Sequence, residues 1–140
     1  MYKRQPAHRS TGGALEQLGR YDEAIEEYRK GAALSTDLSA TSLLAHTYAV
    51  SGRTDEARRL LGELEAAAAA DRYVSPYSLA AVYTGLGETE RAFEMLNRAF
   101  ETRDRGMSWI RVAPRFDPLR ADPRFTDLLR RMKFPGVESR

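Results

Sequence analysis

GRYDEAIEEY (residues 19–28), GRTDEARRLL (52–61) and GETERAFEML (87–96) are three versions of one pattern. Each opens on a glycine and carries an alanine five residues later: Gly19 and Ala24, Gly52 and Ala57, Gly87 and Ala92. Ala24 and Ala57 are 33 positions apart, and Ala57 and Ala92 are 35 apart. A period of about 34 built on a helix–turn–helix unit marks a stacked repeat array. It also moves the functional expectation from catalysis towards binding.

Working outward, each glycine has a helical pattern on both sides. Ahead of Gly19 the pattern runs from His8 to Leu18, with Ala14, Leu15 and Leu18 as apolar positions. Gly12 and Gly13 weaken it, each by about 1 kcal/mol against alanine inside a helix. After the turn, Asp22 starts a helix whose expected inner face is Ala24, Ile25, Tyr28, Ala32 and Leu34. In the second unit Leu43, Leu44, Thr47 and Tyr48 precede Gly52. Thr54 is the expected cap of a stripe formed by Ala57, Leu60, Leu61 and Leu64. The third unit starts with Ser75 before Pro76, a cap followed by the proline favoured in a first turn. Leu79, Ala80, Val82, Tyr83 and Leu86 lead to Gly87. Ala92, Phe93, Met95, Leu96, Ala99 and Phe100 follow it. No useful strand-like alternation occurs, and the expected class is all-α.

After Arg103 the pattern changes. Met107 to Val112 is expected as one short helix, and Asp117-Pro118 and Asp122-Pro123 as two helix starts. In PRFTDLLRRM, Phe125, Leu128, Leu129 and Met132 share a face, and Arg130, Arg131 and Lys133 suit the helix end. This segment reads as a cap, which an array needs to cover its last inner face.

The three units resemble the tetratricopeptide repeat (TPR) family. With Ala24, Ala57 and Ala92 at its invariant small site, Leu44-Ala45…Tyr48 and Leu79-Ala80…Tyr83 take the first-helix sites. Tyr28, Leu61 and Leu96 take the large site of the second helix, and Gly31, Leu64 and Ala99 its second small site. In unit one, Thr11, Gly12 and Leu15 stand where Leu, Gly and Tyr are usual. The stretch from Val74 to Met132, with RVAPRFDPLRADPRFTDLLRRM, is similar to the end of TPR regions in bacterial multidomain regulators. The resemblance implies a right-handed α-solenoid of three TPR-like helix pairs with a C-terminal capping segment. The expected layout is a flexible N-terminus (1–7), repeats over 8–36, 38–71 and 73–103, a cap over 104–133 and a tail over 134–140.

In such arrays the first helices line a concave groove that holds peptides. By position, that partner-binding groove takes Arg9 and Gly13 from unit one, Ser42 and His46 from unit two, and Tyr77, Ala81 and Thr84 from unit three. The Lys and Asn residues of the carboxylate-clamping members are missing, so the expected ligand is a peptide or partner domain held by shape and backbone contacts. His46 offers a near-neutral pKa that makes binding pH-sensitive; its plain alternative is a partly exposed surface histidine. Trp109 with Arg105, Arg111 and Arg115 reads either as a nucleic-acid surface or as Trp109 and Phe116 packing the cap while the arginines are solvated. The packing reading is preferred, and nucleic acid is not the expected partner. Self-association through the weakly formed first unit is the remaining alternative, giving a homo-oligomer.

The bulk chemistry narrows the classes. Of 140 residues, 42% are apolar and 30% charged, as in a folded domain. The net charge of +2 divides into −3 over residues 1–102 and +5 over residues 103–140, so a basic tail follows a mildly acidic body. There is no cysteine, which excludes disulfides and thiolate zinc sites. Only His8 and His46 exist, and neither has a second ligand at helical spacing, so no metal is expected. Gly12-Gly13 lacks the Lys-Ser/Thr of a phosphate loop, and no nucleophile elbow appears. No catalysis and no cofactor are expected. MYKRQPAHRS has no apolar leader core, and no run suits a membrane span. The expected compartment is the cytoplasm.

Overall fold

The structure, a computed structural model, describes residues 12–133. The N-terminal segment 1–7, Arg9, the start of the helix expected from His8 and the tail 134–140 lie outside the described residues. The described residues contain helices and no strand. They fall into two compact units, one ending at Val74 and the other beginning at Ser75.

The first unit holds α1 (12–17), α2 (Tyr21–Leu34), α3 (Ser39–Val50) and α4 (Thr54–Ala69). The second holds α5 (Pro76–Gly85) and α6 (Thr89–Glu101), two 3-10 turns at Arg105–Trp109 and Pro114–Leu119, and α7 (Pro123–Arg131). Within the first unit α3 packs on both α2 and α4; within the second, α5 packs on α6 and on both 3-10 turns.

One turn is built three times. Gly19, Gly52 and Gly87 have φ of +76°, +89° and +78°. The next residue's N–H reaches back five positions: Arg20 to Leu15 O at 2.9 Å, Arg53 to Tyr48 O at 2.8 Å and Glu88 to Tyr83 O at 2.9 Å. This bond across a left-handed residue satisfies a carbonyl that the helix end leaves unpaired. The following helix starts two residues after each glycine, at Tyr21, Thr54 and Thr89. Ala24, Ala57 and Ala92 are therefore each its fourth residue, and all three are fully buried. Helices α4 and α6 end with the same five-position bond, Arg72 N to Ala67 O at 3.0 Å and Asp104 N to Ala99 O at 2.9 Å, but across other residue types. Asp71 and Arg103 take positive φ, 64° and 58°, without being glycine.

Several boundaries correct the sequence reading. Thr54 is the first helical residue and Arg53 the N-cap, with no side-chain cap bond. Asp22 likewise follows Tyr21 inside α2. Ser75 and Asp122 cap as expected, accepting from Ser78 N at 3.1 Å and Arg124 N at 2.9 Å. Asp117 caps nothing: its turn already starts at Pro114, and its carboxylate pairs with Arg120 at 2.7 Å. Met107 to Val112 is not one helix, because the 3-10 turn begins at Arg105 and ends at Trp109.

The core follows the expected stripes closely in α4 and α6. Leu60, Leu61 and Leu64, and Phe93, Leu96 and Ala99, are buried. In α2 the inner face is Ala24, Ile25, Tyr28 and Gly31, while Leu34 is exposed. In α1 the expected face is wrong. Ala14 and Leu18 point outward, and Gly12 and Glu16 are buried. The reason is Tyr28. A Cβ on Gly12 would stand 2.5 Å from the Tyr28 ring, so the ring needs the bare backbone there. One helical turn further on, the same face carries Glu16.

Candidate functional site

The inner helices α3 and α5 are apolar on nearly every side, and a helix of that kind is buried rather than displayed. Of the groove residues expected from sequence, Ser42, His46, Ala81 and Thr84 are buried and Tyr77 is half-buried; Arg9 lies outside the described residues. Ser42 and His46 belong to the first unit, and Tyr77, Ala81 and Thr84 to the second. Two hydroxyls are turned onto their own helix: Ser42 Oγ donates to Leu38 O at 3.0 Å and Thr84 Oγ1 to Ala80 O at 2.8 Å.

In the first unit His46 belongs to a buried polar knot, not to the surface as its plain alternative had it. Its Nδ1 lies 2.9 Å from Glu16 Oε2, with both side chains almost fully enclosed. The two atoms are close but not aligned as donor and acceptor, so the pair is a packed polar contact and not a directed hydrogen bond. Tyr28 OH donates to Glu16 Oε1 at 3.2 Å. Thr47 Oγ1 donates to Leu43 O at 2.8 Å and reaches Glu16 Oε1 at 3.5 Å. A buried carboxylate is costly unless donors surround it. Here α2 and α3 supply them, and the knot fastens α1 to both. Its enclosure suits a structural tie rather than proton transfer with a substrate. Glu16 is not part of any apolar stripe; its signal in the sequence is Gly12 at the family's small site, four residues earlier on the same face.

In the second unit Asp104 is the hub. Oδ2 accepts from Ser75 Oγ at 2.6 Å and from Tyr77 N at 3.1 Å, and Oδ1 accepts from Gly106 N at 2.9 Å. The carboxylate thus ties the start of α5 to the first 3-10 turn. Gly106 lies flat against the Tyr77 ring, where any Cβ would collide. Phe116 meets the same ring at 5.1 Å between centroids, tilted by 58°. Burial pushes the Tyr77 phenol up to about 12, with Arg115 pulling it back. The side chain expected to meet a partner is already held by its own chain.

The segment that holds it has a period of three. Met107, Ile110, Ala113, Phe116 and Leu119 are all buried. Three residues per turn is the repeat of a 3-10 helix, so positions three apart share a side. Pro114 divides the run, with Ala113 extended ahead of it. Phe116 packs as expected; Trp109 does not and is 65% exposed. The next segment is fastened by arginines lying over rings. Arg124 stacks 4.4 Å over Phe93 and bridges Glu90 and Asp122 at 2.9 Å each. Arg131 lies 5.0 Å over Phe100 and donates to Asn97 at 2.7 Å. Arg120 lies 5.2 Å over Phe125. These contacts lay α7 along α6 and use much of the basic charge that the sequence placed here. Among the described residues no cluster of His, Asp and Glu suits a metal ion. No described helix is long and apolar enough to cross a membrane.

The described residues form an all-α helical repeat that is similar to a tetratricopeptide repeat. Residues 15–76 match the tetratricopeptide repeat family model, from within α1 through the second helix pair to the first residue of α5. No curated protein and no solved structure matches the chain. Tetratricopeptide repeats generally mediate protein–protein interactions.

Proposed function

We propose that the chain is a non-catalytic interaction module that receives a protein or peptide against the inner helices of its repeats. The observation that carries this is the phase of the three helix pairs, each closed by the same glycine turn and each burying the equivalent alanine. In this reading Arg9, Ser42 and His46 mark partner-facing positions of the first unit, and Tyr77, Ala81 and Thr84 those of the second. Ser42 and His46 shape α3 from within and Ala81 and Thr84 shape α5 from within, since they are enclosed in the free chain. Tyr77 is half-buried under the 104–119 segment, and more of its ring is exposed if that segment moves aside. The closing sequence RVAPRFDPLRADPRFTDLLRRM supports a place among the C-terminal repeat regions of bacterial multidomain regulators, acting as a cytoplasmic scaffold.

The test is to purify a partner captured by the full chain and map the complex by hydrogen exchange. Protection in α3 and α5 is the expected result. A partner that protects only the outer faces of α4 and α6, or a chain that binds no protein, defeats this reading.

A further inference from the structure

We infer that the outer side of the 105–115 segment, centred on Trp109, is a second docking surface, and that it takes an acidic peptide segment with an apolar anchor. This deepens the protein-binding reading but uses none of the inner-helix positions.

The two-sided character of the segment comes first. While Met107, Ile110 and Ala113 face inward, Trp109 and Val112 are 65% and 60% exposed. They are three apart, on one side of the turn. The turn closes on itself there, with Val112 N and Ala113 N both donating to Trp109 O, at 3.0 and 2.9 Å. The indole is thus carried by a fixed backbone rather than a loose loop. Among the described residues the indole makes no hydrogen bond, ring stack or cation contact. A large aromatic carried into water on a fixed backbone, with an aliphatic neighbour, has the makings of a binding anchor.

Charge selects the occupant. Residues 103–115 contain four arginines, Arg103, Arg105, Arg111 and Arg115, and one carboxylate, Asp104. Both Asp104 oxygens are already taken by Ser75, Tyr77 and Gly106. Arg105, Ser108 and Arg111 form the exposed track next to Trp109 and Val112. An apolar strip beside a basic strip complements a segment that pairs a leucine or phenylalanine with aspartates or glutamates. Single-stranded nucleic acid fits less well. It wants several stacking faces and a run of phosphate-binding cations. Phe116 and Phe125 are buried, and Arg120, Arg124 and Arg131 already serve carboxylates and rings.

The chain has a single tryptophan, so its emission reports directly on this surface. A displayed library of random short peptides is selected on the full chain, and the enriched peptides are synthesised with a label. Acidic sequences with an apolar side chain are expected. They should shift Trp109 emission to the blue, and Trp109→Ala or Arg105→Glu should weaken them by about tenfold or more at unchanged helicity. A charge-reversed peptide, with Lys for each acidic residue, should leave the emission alone. Enrichment of basic or uncharged peptides overturns the inference, as does binding indifferent to both substitutions. Tighter binding of an oligo-dT strand than of any peptide assigns the surface to nucleic acid. A blue shift that grows with protein concentration alone assigns it to a second copy; either result also overturns the inference. If peptides enrich but bind independently of Trp109 while protecting α3 and α5, only the Trp109 surface is lost and the inner-helix reading stands.

Discussion

Two glycines in this chain are defined by the ring that lies on them. Gly106 sits against Tyr77 and Gly12 against Tyr28, each too close for a Cβ. Gly106→Ala should destabilise the second unit by about 1–3 kcal/mol, the range for overpacking a well-filled site, as read from the urea midpoint. Glu16 is the other residue whose neighbours depend on it. Glu16→Ala strips the Tyr28 hydroxyl of its acceptor and leaves His46 facing a void, at a cost of about 1–3 kcal/mol. Glu16→Gln should recover part of that loss in the same urea series. Tyr77 makes a prediction in pH. Its phenol is raised from an ordinary value of 10.0 to about 12. The unfolded chain therefore loses this proton first, so the Tyr77 contribution is intact below pH 10.0 and fades as pH climbs towards 12. Stability measured across that window should fall, and Tyr77→Phe should flatten the fall.

At the scale of elements, the three glycine turns are interchangeable parts. Gly87→Ala puts a Cβ at φ +78° and should cost about 1–2 kcal/mol; thermal unfolding checks it. The start of α7 is fixed by Asp122, whose carboxyl is held below its ordinary value of 3.8, chiefly by the Arg124 side-chain hydrogen bond and then by Arg124 N–H. A depressed acid stabilises the fold above its unfolded value. That support is complete above pH 3.8 and is lost as pH falls through the lower folded midpoint. Carbon-detected titration of Asp122 should show this, and Arg124→Ala should move the midpoint upward.

For the molecule as a whole, protection against hydrogen exchange should be greatest in α3 to α6, whose packed faces are largest. It should be weaker in α1 and in the 3-10 turns, whose backbone bonds are few and near solvent. The helix pairs were readable from sequence because glycine turns and small-residue sites leave a long-period trace in the residues themselves. Ser75 and Asp122 were readable for the same local reason, a capping side chain ahead of a proline. The polar knot was not, since Glu16, Tyr28 and His46 meet only through tertiary packing and carry no shared spacing. The fate of Tyr77 was hidden similarly. Its position on α5 fits a groove, but Asp104, Gly106 and Phe116, which occupy it, come from a later part of the chain. The inner track 107–119 is written in the residues too, but with a period of three, which a helical period of 3.6 over Met107 to Val112 does not match.

That track sets a rule for length. A single residue inserted between Met107 and Phe116 would move everything downstream on by one place, bringing Arg115 and Pro118 into the inward row and turning Phe116 and Leu119 out of it. Only insertions or deletions in triplets would keep the inward row in step, so natural variation in this stretch should come in threes or not at all.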